Sequence, residues 1–120
     1  HPRVRRQRQM CIRDRDKITE QMRECYFSIY GTNVVKIVLY GSYARGDFDE
    51  GSDIDIVAIV KGKREELQKK LRQIWDLSAD LGLENDVVVS PMVIPYDEFM
   101  RYRESLPYYR NIEEEGRKIG

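Results

Sequence analysis

The sequence predicts a small α/β domain of the α+β kind, a mixed β-sheet of three or more strands flanked by helices. Three observations predict it. Two runs, Val34–Tyr40 (VVKIVLY) and Ile54–Val60 (IDIVAIV), have the length and β-branched composition of buried strands. The segments around them repeat apolar residues at helical spacing. The resulting order of helix, strand, strand, helix, strand, helix suits one sheet with helices packed on it.

The first helix covers Asp16 to Tyr30, where Ile18, Met22, Cys25 and Ile29 recur three and four apart and share one face; Gly31 ends it. The strand Val34–Tyr40 lies between Gly31 and Gly41, and Ile54–Val60 is the second strand. Lys63 to Leu81 places Leu67, Leu71, Ile74, Leu77 and Leu81 on one helical stripe, with Gly82 as its stop. Asp86 to Ile94 (DVVVSPMVI) reads as a third strand that Pro91 restricts to a sheet edge or an irregular finish. Tyr96–Arg103 and Leu106–Glu115 read as two short helices. The aromatic-rich stretch Phe99 to Tyr109 suits core packing, with a partner surface as the alternative.

Residues 1–15 (HPRVRRQRQMCIRDR) have no apolar period, and Arg5 to Arg15 matches, codon by codon, the in-frame translation of a common transposon-based sequencing adapter. They are read as non-native and the domain as residues 16–120, the competing reading being a basic nucleic-acid-binding arm. The segment holds six of the 21 basic and one of the 21 acidic residues, which leaves the remainder at net −5. Such a domain has no electrostatic case for stable nucleic-acid binding. Without Cys11, the lone Cys25 forms neither an internal disulfide nor a zinc site and is expected as a small core residue. His1, the only histidine, lies in the same segment, which closes histidine-based acid–base and metal chemistry. No signal-peptide pattern or membrane-length apolar run is present, so the expected location is cytoplasmic, with no membrane partner.

Chemistry concentrates in Leu39-Tyr40-Gly41-Ser42-Tyr43-Ala44-Arg45-Gly46 and in Ser52-Asp53-Ile54-Asp55-Ile56. Gly-Ser after an apolar strand is by itself a plain turn. Here Gly41 allows close backbone approach, a helical turn from Ser42 would aim free N–H groups at an anion, and Arg45 follows about one turn later. Together they make a triphosphate cradle. Asp53 and Asp55, two apart in a strand, share a face, while Ile54 and Ile56 point into the core. Like charges about 4 Å apart repel by roughly 4 kcal/mol at an effective dielectric near 20, so such a pair calls for a counter-cation, and hard oxygen donors favour Mg²⁺. Asp-x-Asp standing alone reads rather as two solvent-facing carboxylates on a half-exposed strand; here it does not stand alone. Asp86 offers a third, with capping or loop solvation as its plain alternative.

Gly41-Ser42, ten residues and then Asp53-x-Asp55, with Ala44-Arg45-Gly46 and Ser52-Asp53-Ile54-Asp55, resembles the signature of minimal nucleotidyltransferases of the DNA polymerase beta superfamily. The resemblance runs from Ile18 to Ile119 and implies a polymerase-beta-like nucleotidyltransferase fold. It implies that Asp53, Asp55 and Asp86 are catalytic and bind two Mg²⁺ ions. Gly41, Ser42, Arg45 and Ser52 would bind the nucleotide, with ATP as substrate.

Relatives that modify antibiotics or extend nucleic acids carry acceptor-holding domains that this chain does not show, so the acceptor is expected on another molecule. Stand-alone members resemble the antitoxin half of toxin–antitoxin pairs whose other half is a helical HEPN-type RNase, and the implied reaction is AMP transfer to a toxin tyrosine. The alternatives are a binding antitoxin with an idle site, and a nucleotidyltransferase acting on aminoglycosides or other small molecules.

Overall fold

The computed structural model describes residues 12–40, 54–85 and 87–120, the side chains of 12–15 excepted. Helix α1 (Ile12–Tyr30) leads through a 3-10 turn (Gly31–Asn33) into strands β1 (Val34–Tyr40) and β2 (Ile54–Val60). Helix α2 (Arg64–Asn85), strand β3 (Val89–Pro95), helices α3 (Tyr96–Tyr102) and α4 (Pro107–Glu115), and a two-residue strand β4 (Arg117–Lys118) complete it. The four strands form one sheet in the order β3-β2-β1-β4. β1 is antiparallel to β2 and to β4, whereas β2 and β3, joined through α2, are parallel. The sheet is therefore mixed, as the sequence implies.

Strand alternation splits the core into two layers. Ile37, Leu39, Ile54, Ile56, Ala58, Val60, Val89 and Val93 face α1 and α2, and Val38, Val57, Ile59 and Ile94 face α3 and α4. β2 is central and covered on both sides, which explains why it is an almost unbroken apolar run. Ile56 and Ile59 are wholly inaccessible to solvent, and truncating either to Ala would cost about 2–5 kcal/mol.

Helix α1 buries Ile18 and Met22 as its spacing predicts, with Cys25 and Ile29 half-buried beside them. It also buries Tyr26 and Tyr30, one turn apart on the same face. Tyr26 Oη donates to the Met92 carbonyl oxygen at 2.8 Å, and Tyr30 Oη donates to that of Leu67 at 2.7 Å, pinning α1 to β3 and to α2. Burial raises the Cys25 thiol pKa, which suits its expected place in the core. The helix stops where Gly31 takes φ +65°, a left-handed conformation open to glycine.

The expected ends of two elements are corrected. Gly82 does not stop α2, which continues three residues to Asn85, whose Nδ2 donates to the Leu81 carbonyl oxygen at 2.8 Å. The Val87 N–H returns to the Gly82 carbonyl oxygen at 3.0 Å. A Cβ on Gly82 would meet the close-approaching Val87 carbonyl, so Gly82 admits it from inside the helix. The third strand consequently starts at Val89, not at residue 86. Pro91 lies within it and is tolerated because β3 is an edge strand, as its sequence requires.

Among the described residues no helix is long and apolar enough to cross a membrane.

Candidate active site

β2 carries a single charged residue, Asp55, in an otherwise apolar central strand. A carboxylate there carries a desolvation cost that sheet packing alone does not require, which marks it as a functional candidate. Alternation sets it opposite to Ile54 and Ile56, which are buried against α1 and α2; Asp55 therefore belongs to the face that carries Val57, Ile59 and helices α3 and α4.

Its neighbours follow from register. Asp55 is the partner of Tyr40 on β1 and of Ser90 on β3, so a row of three polar residues crosses one end of the sheet. Cross-strand partners have Cβ atoms about 4.5–5.5 Å apart. Tyr40 Oη and Tyr108 Oη are hydrogen-bonded at 2.8 Å, and their rings meet edge to face at a centroid distance of 5.9 Å. This contact brings the first turn of α4 to the same edge. Burial first, then the Tyr108 hydroxyl and the negative charge of Asp55, hold the Tyr40 phenol far above its ordinary range. Tyr40 is thus a neutral hydrogen-bonding group near neutral pH and no proton-transfer base.

The chain enters this edge from two further directions. β1 ends at Tyr40, next to Gly41, and β2 begins at Ile54, next to Asp53, so the sheet holds both ends of segment 41–53 side by side. The Ile54 N–H donates to the Val88 carbonyl oxygen at 2.8 Å, and Val88 stands two residues after Asp86. Gly41, Ser42, Arg45, Ser52, Asp53 and Asp86 themselves lie outside the described residues. Asp55 is the predicted site residue that the structure describes, half-buried on the expected strand and face. Among the described residues no three potential metal ligands gather, since two of the three predicted carboxylates are outside them.

Tyr40, Ser90 and Tyr108 were not singled out by the sequence. Strand alternation would place Tyr40 and Ser90 on a face, but only register puts them beside Asp55. The Phe99–Tyr109 stretch divides between roles: Phe99 and Tyr109 are core, their rings stacked at 5.9 Å, while Met100, Leu106 and Tyr108 remain exposed.

The donors that the sequence predicts are of the type a hard divalent cation takes. Asp53, Asp55 and Asp86 offer carboxylate oxygens alone, and Cys25 packs with the core cluster on the opposite side of the sheet.

Comparison with known proteins identifies the family. The profile of the family described as nucleotidyltransferase domain matches residues 19–119. A protein of Methanocaldococcus jannaschii named as a candidate protein adenylyltransferase is 34% identical over 92 residues, spanning 77% of this chain and 84% of the relative. A second of the same name and organism is 31% identical over 77 residues, spanning 64% and 76%. Among solved structures, a mutant of the toxin–antitoxin pair MntA–HpeT matches with a TM-score of 0.54 at 17% identity, covering 85% of this chain and 71% of that one, a likeness of fold.

Proposed function

The chain belongs to the nucleotidyltransferase domain family, a family of enzymes, and from that membership we propose that it transfers AMP from ATP to a tyrosine hydroxyl of a HEPN-type toxin, acting as its antitoxin. The observation that carries the reading is Asp55, the lone carboxylate of a buried central strand, at the edge where segment 41–53 leaves and re-enters the sheet. The names of the two archaeal relatives support a protein as acceptor, and the fold shared with a toxin–antitoxin member supports a toxin.

In this reading Gly41 and Ser42 hold the β- and γ-phosphates through backbone N–H groups and the serine hydroxyl, and Arg45 and Ser52 add donors to the same oxygens. Asp53, Asp55 and Asp86 would hold two Mg²⁺ ions, which would supply charge stabilisation for an in-line displacement. The acceptor oxygen forms a bond to the α-phosphorus as the bond to the β-phosphate bridging oxygen breaks. Ser42 and Arg45 hold the departing pyrophosphate, Arg45 offsetting part of its charge, and Asp86 takes the acceptor's proton. Tyr40 is uncharged and closes the side of the site next to Asp55.

The test is the intact mass of the neighbouring-gene protein after incubation with this chain, ATP and Mg²⁺. Gain of one or more AMP units, abolished by Asp53→Asn, is the expected result. A stable complex without mass gain contradicts transfer and points to neutralisation by binding alone. Labelling of a small molecule without a protein present contradicts the protein acceptor.

A further inference from the structure

A second surface lies at the same end of the sheet. Trp75, Ala79 and Leu83 are spaced four apart on α2 and form one stripe, which faces Val87, Val88 and Val89 across an open trough of about 550 Å³. Trp75 is 47% exposed, Val88 57% and Leu83 85%. Three large apolar side chains converging in one concave place mark an interaction surface rather than scattered surface apolarity.

The flank of α2 beside the stripe is acidic. Asp76, Asp80 and Glu84 follow the apolar stripe by one position each and are all exposed, and α2 has no basic residue after Arg72. The carbonyl end of the helix adds negative potential there. The stripe from Trp75 to Leu83 extends about 12 Å, a little over two helical turns, which suits anchors at i, i+3 or i+4, and i+7 of a second helix.

We propose that this trough docks an amphipathic helix of a partner protein, its apolar stripe flanked by Lys and Arg. The Val88 carbonyl oxygen accepts from Ile54 N–H, one residue from Asp55, so the trough opens at the same end of the sheet as the candidate catalytic edge, on the α2 side of it. The assignment of the docked helix to the protein that receives the nucleotide rests on the transfer reading; the docking itself does not.

Trp75 is the only tryptophan of the chain and reports on the trough directly. The full chain, without nucleotide, is titrated with a peptide of about 18 residues, roughly five turns, built from Leu at helical spacing and Lys elsewhere. A twin peptide carries Glu in place of Lys. The expected result is a saturable blue shift of Trp75 emission with the Lys peptide and none with the Glu twin. Affinity is expected to fall about tenfold or more from low to high salt.

Leu83→Asp adds a carboxylate yet removes the apolar anchor, so it is expected to abolish the shift while circular dichroism stays unchanged. No shift, an equal response to both peptides, or a shift that survives Leu83→Asp overturns the proposal. Emission that changes with protein concentration alone, together with a dimer mass, also overturns it in favour of a second copy as occupant. Loss of docking with transfer intact, or transfer lost with docking intact, separates the two readings.

Discussion

Tyr40 and Asp55 are register partners on adjacent antiparallel strands, and both belong to the face of the sheet that α4 approaches through Tyr108. The pairing places a neutral phenol beside the one carboxylate of the central strand.

Replacing Asp55 by Asn keeps size and shape and removes the charge. If Asp55 carries metal-bound nucleotide chemistry, kcat falls by roughly a thousandfold, the several kcal/mol such charge stabilisation supplies. The melting temperature is expected to move by no more than a few degrees, because a polar residue of nearly equal volume stays in place. Steady-state rates and a thermal melt on the same preparation check both.

Tyr40→Phe removes the hydrogen bond to Tyr108 and keeps the ring. It is expected to lower stability by about 0.5–1.5 kcal/mol and to leave kcat within a few-fold, because Tyr40 stays neutral and exchanges no proton. Tyr40→Ala also removes the ring that walls Asp55, and a larger fall in transfer with a raised KM is expected. Denaturant melts and kinetics separate the hydroxyl from the ring.

Stability should fall above about pH 10. The Tyr30 phenol is pushed up to about 12 by burial, with the nearby Cys25 adding to it, and Tyr26 is also held well above its ordinary range, chiefly by its own burial. Between pH 10 and 12 the unfolded chain releases the Tyr30 proton that the folded chain keeps, so rising pH favours unfolding; below 10 this contribution is fully present. Denaturant midpoints measured from pH 8 to about 12 should be flat and then decline, and Tyr30→Phe should make the decline shallower.

The strands β1 and β2 were legible to the residue, because each is an apolar run bounded by breakers or polar residues. Asp55 was legible as a carboxylate because Asp53-x-Asp55 puts two of them on one face of a strand soon after Gly41-Ser42. Tyr40 and Ser90 as its neighbours were not, since register joins residues that are far apart in sequence and leaves no local period. α2 was read four residues short because glycine commonly ends a helix, whereas Gly82 lies inside this one to admit the Val87 backbone. β4, the pair Arg117–Lys118, has no apolar alternation; it exists because the unsatisfied edge of β1 offers hydrogen bonds, among them Ile119 N–H to the Ile37 carbonyl oxygen at 2.8 Å.

Gly116 closes α4 before that strand, its N–H donating to the Ile112 carbonyl oxygen at 3.1 Å. A Cβ there would run into Val38 Cγ1 and the Ile112 carbonyl oxygen. Gly116→Ala is expected to cost about 1–3 kcal/mol through forced displacement of a buried valine, read as a lowered melting temperature.

The most direct test of nucleotidyl transfer compares two labels. The chain and its partner protein are incubated with Mg²⁺ and ATP labelled either at the α- or at the γ-phosphate, and the partner is isolated under denaturing conditions. Label retained from the α-phosphate and none from the γ-phosphate, lost with Asp55→Asn, is the predicted result. Retention of γ-label would make the reaction phosphoryl transfer and contradict the account, as would α-label that persists in Asp55→Asn.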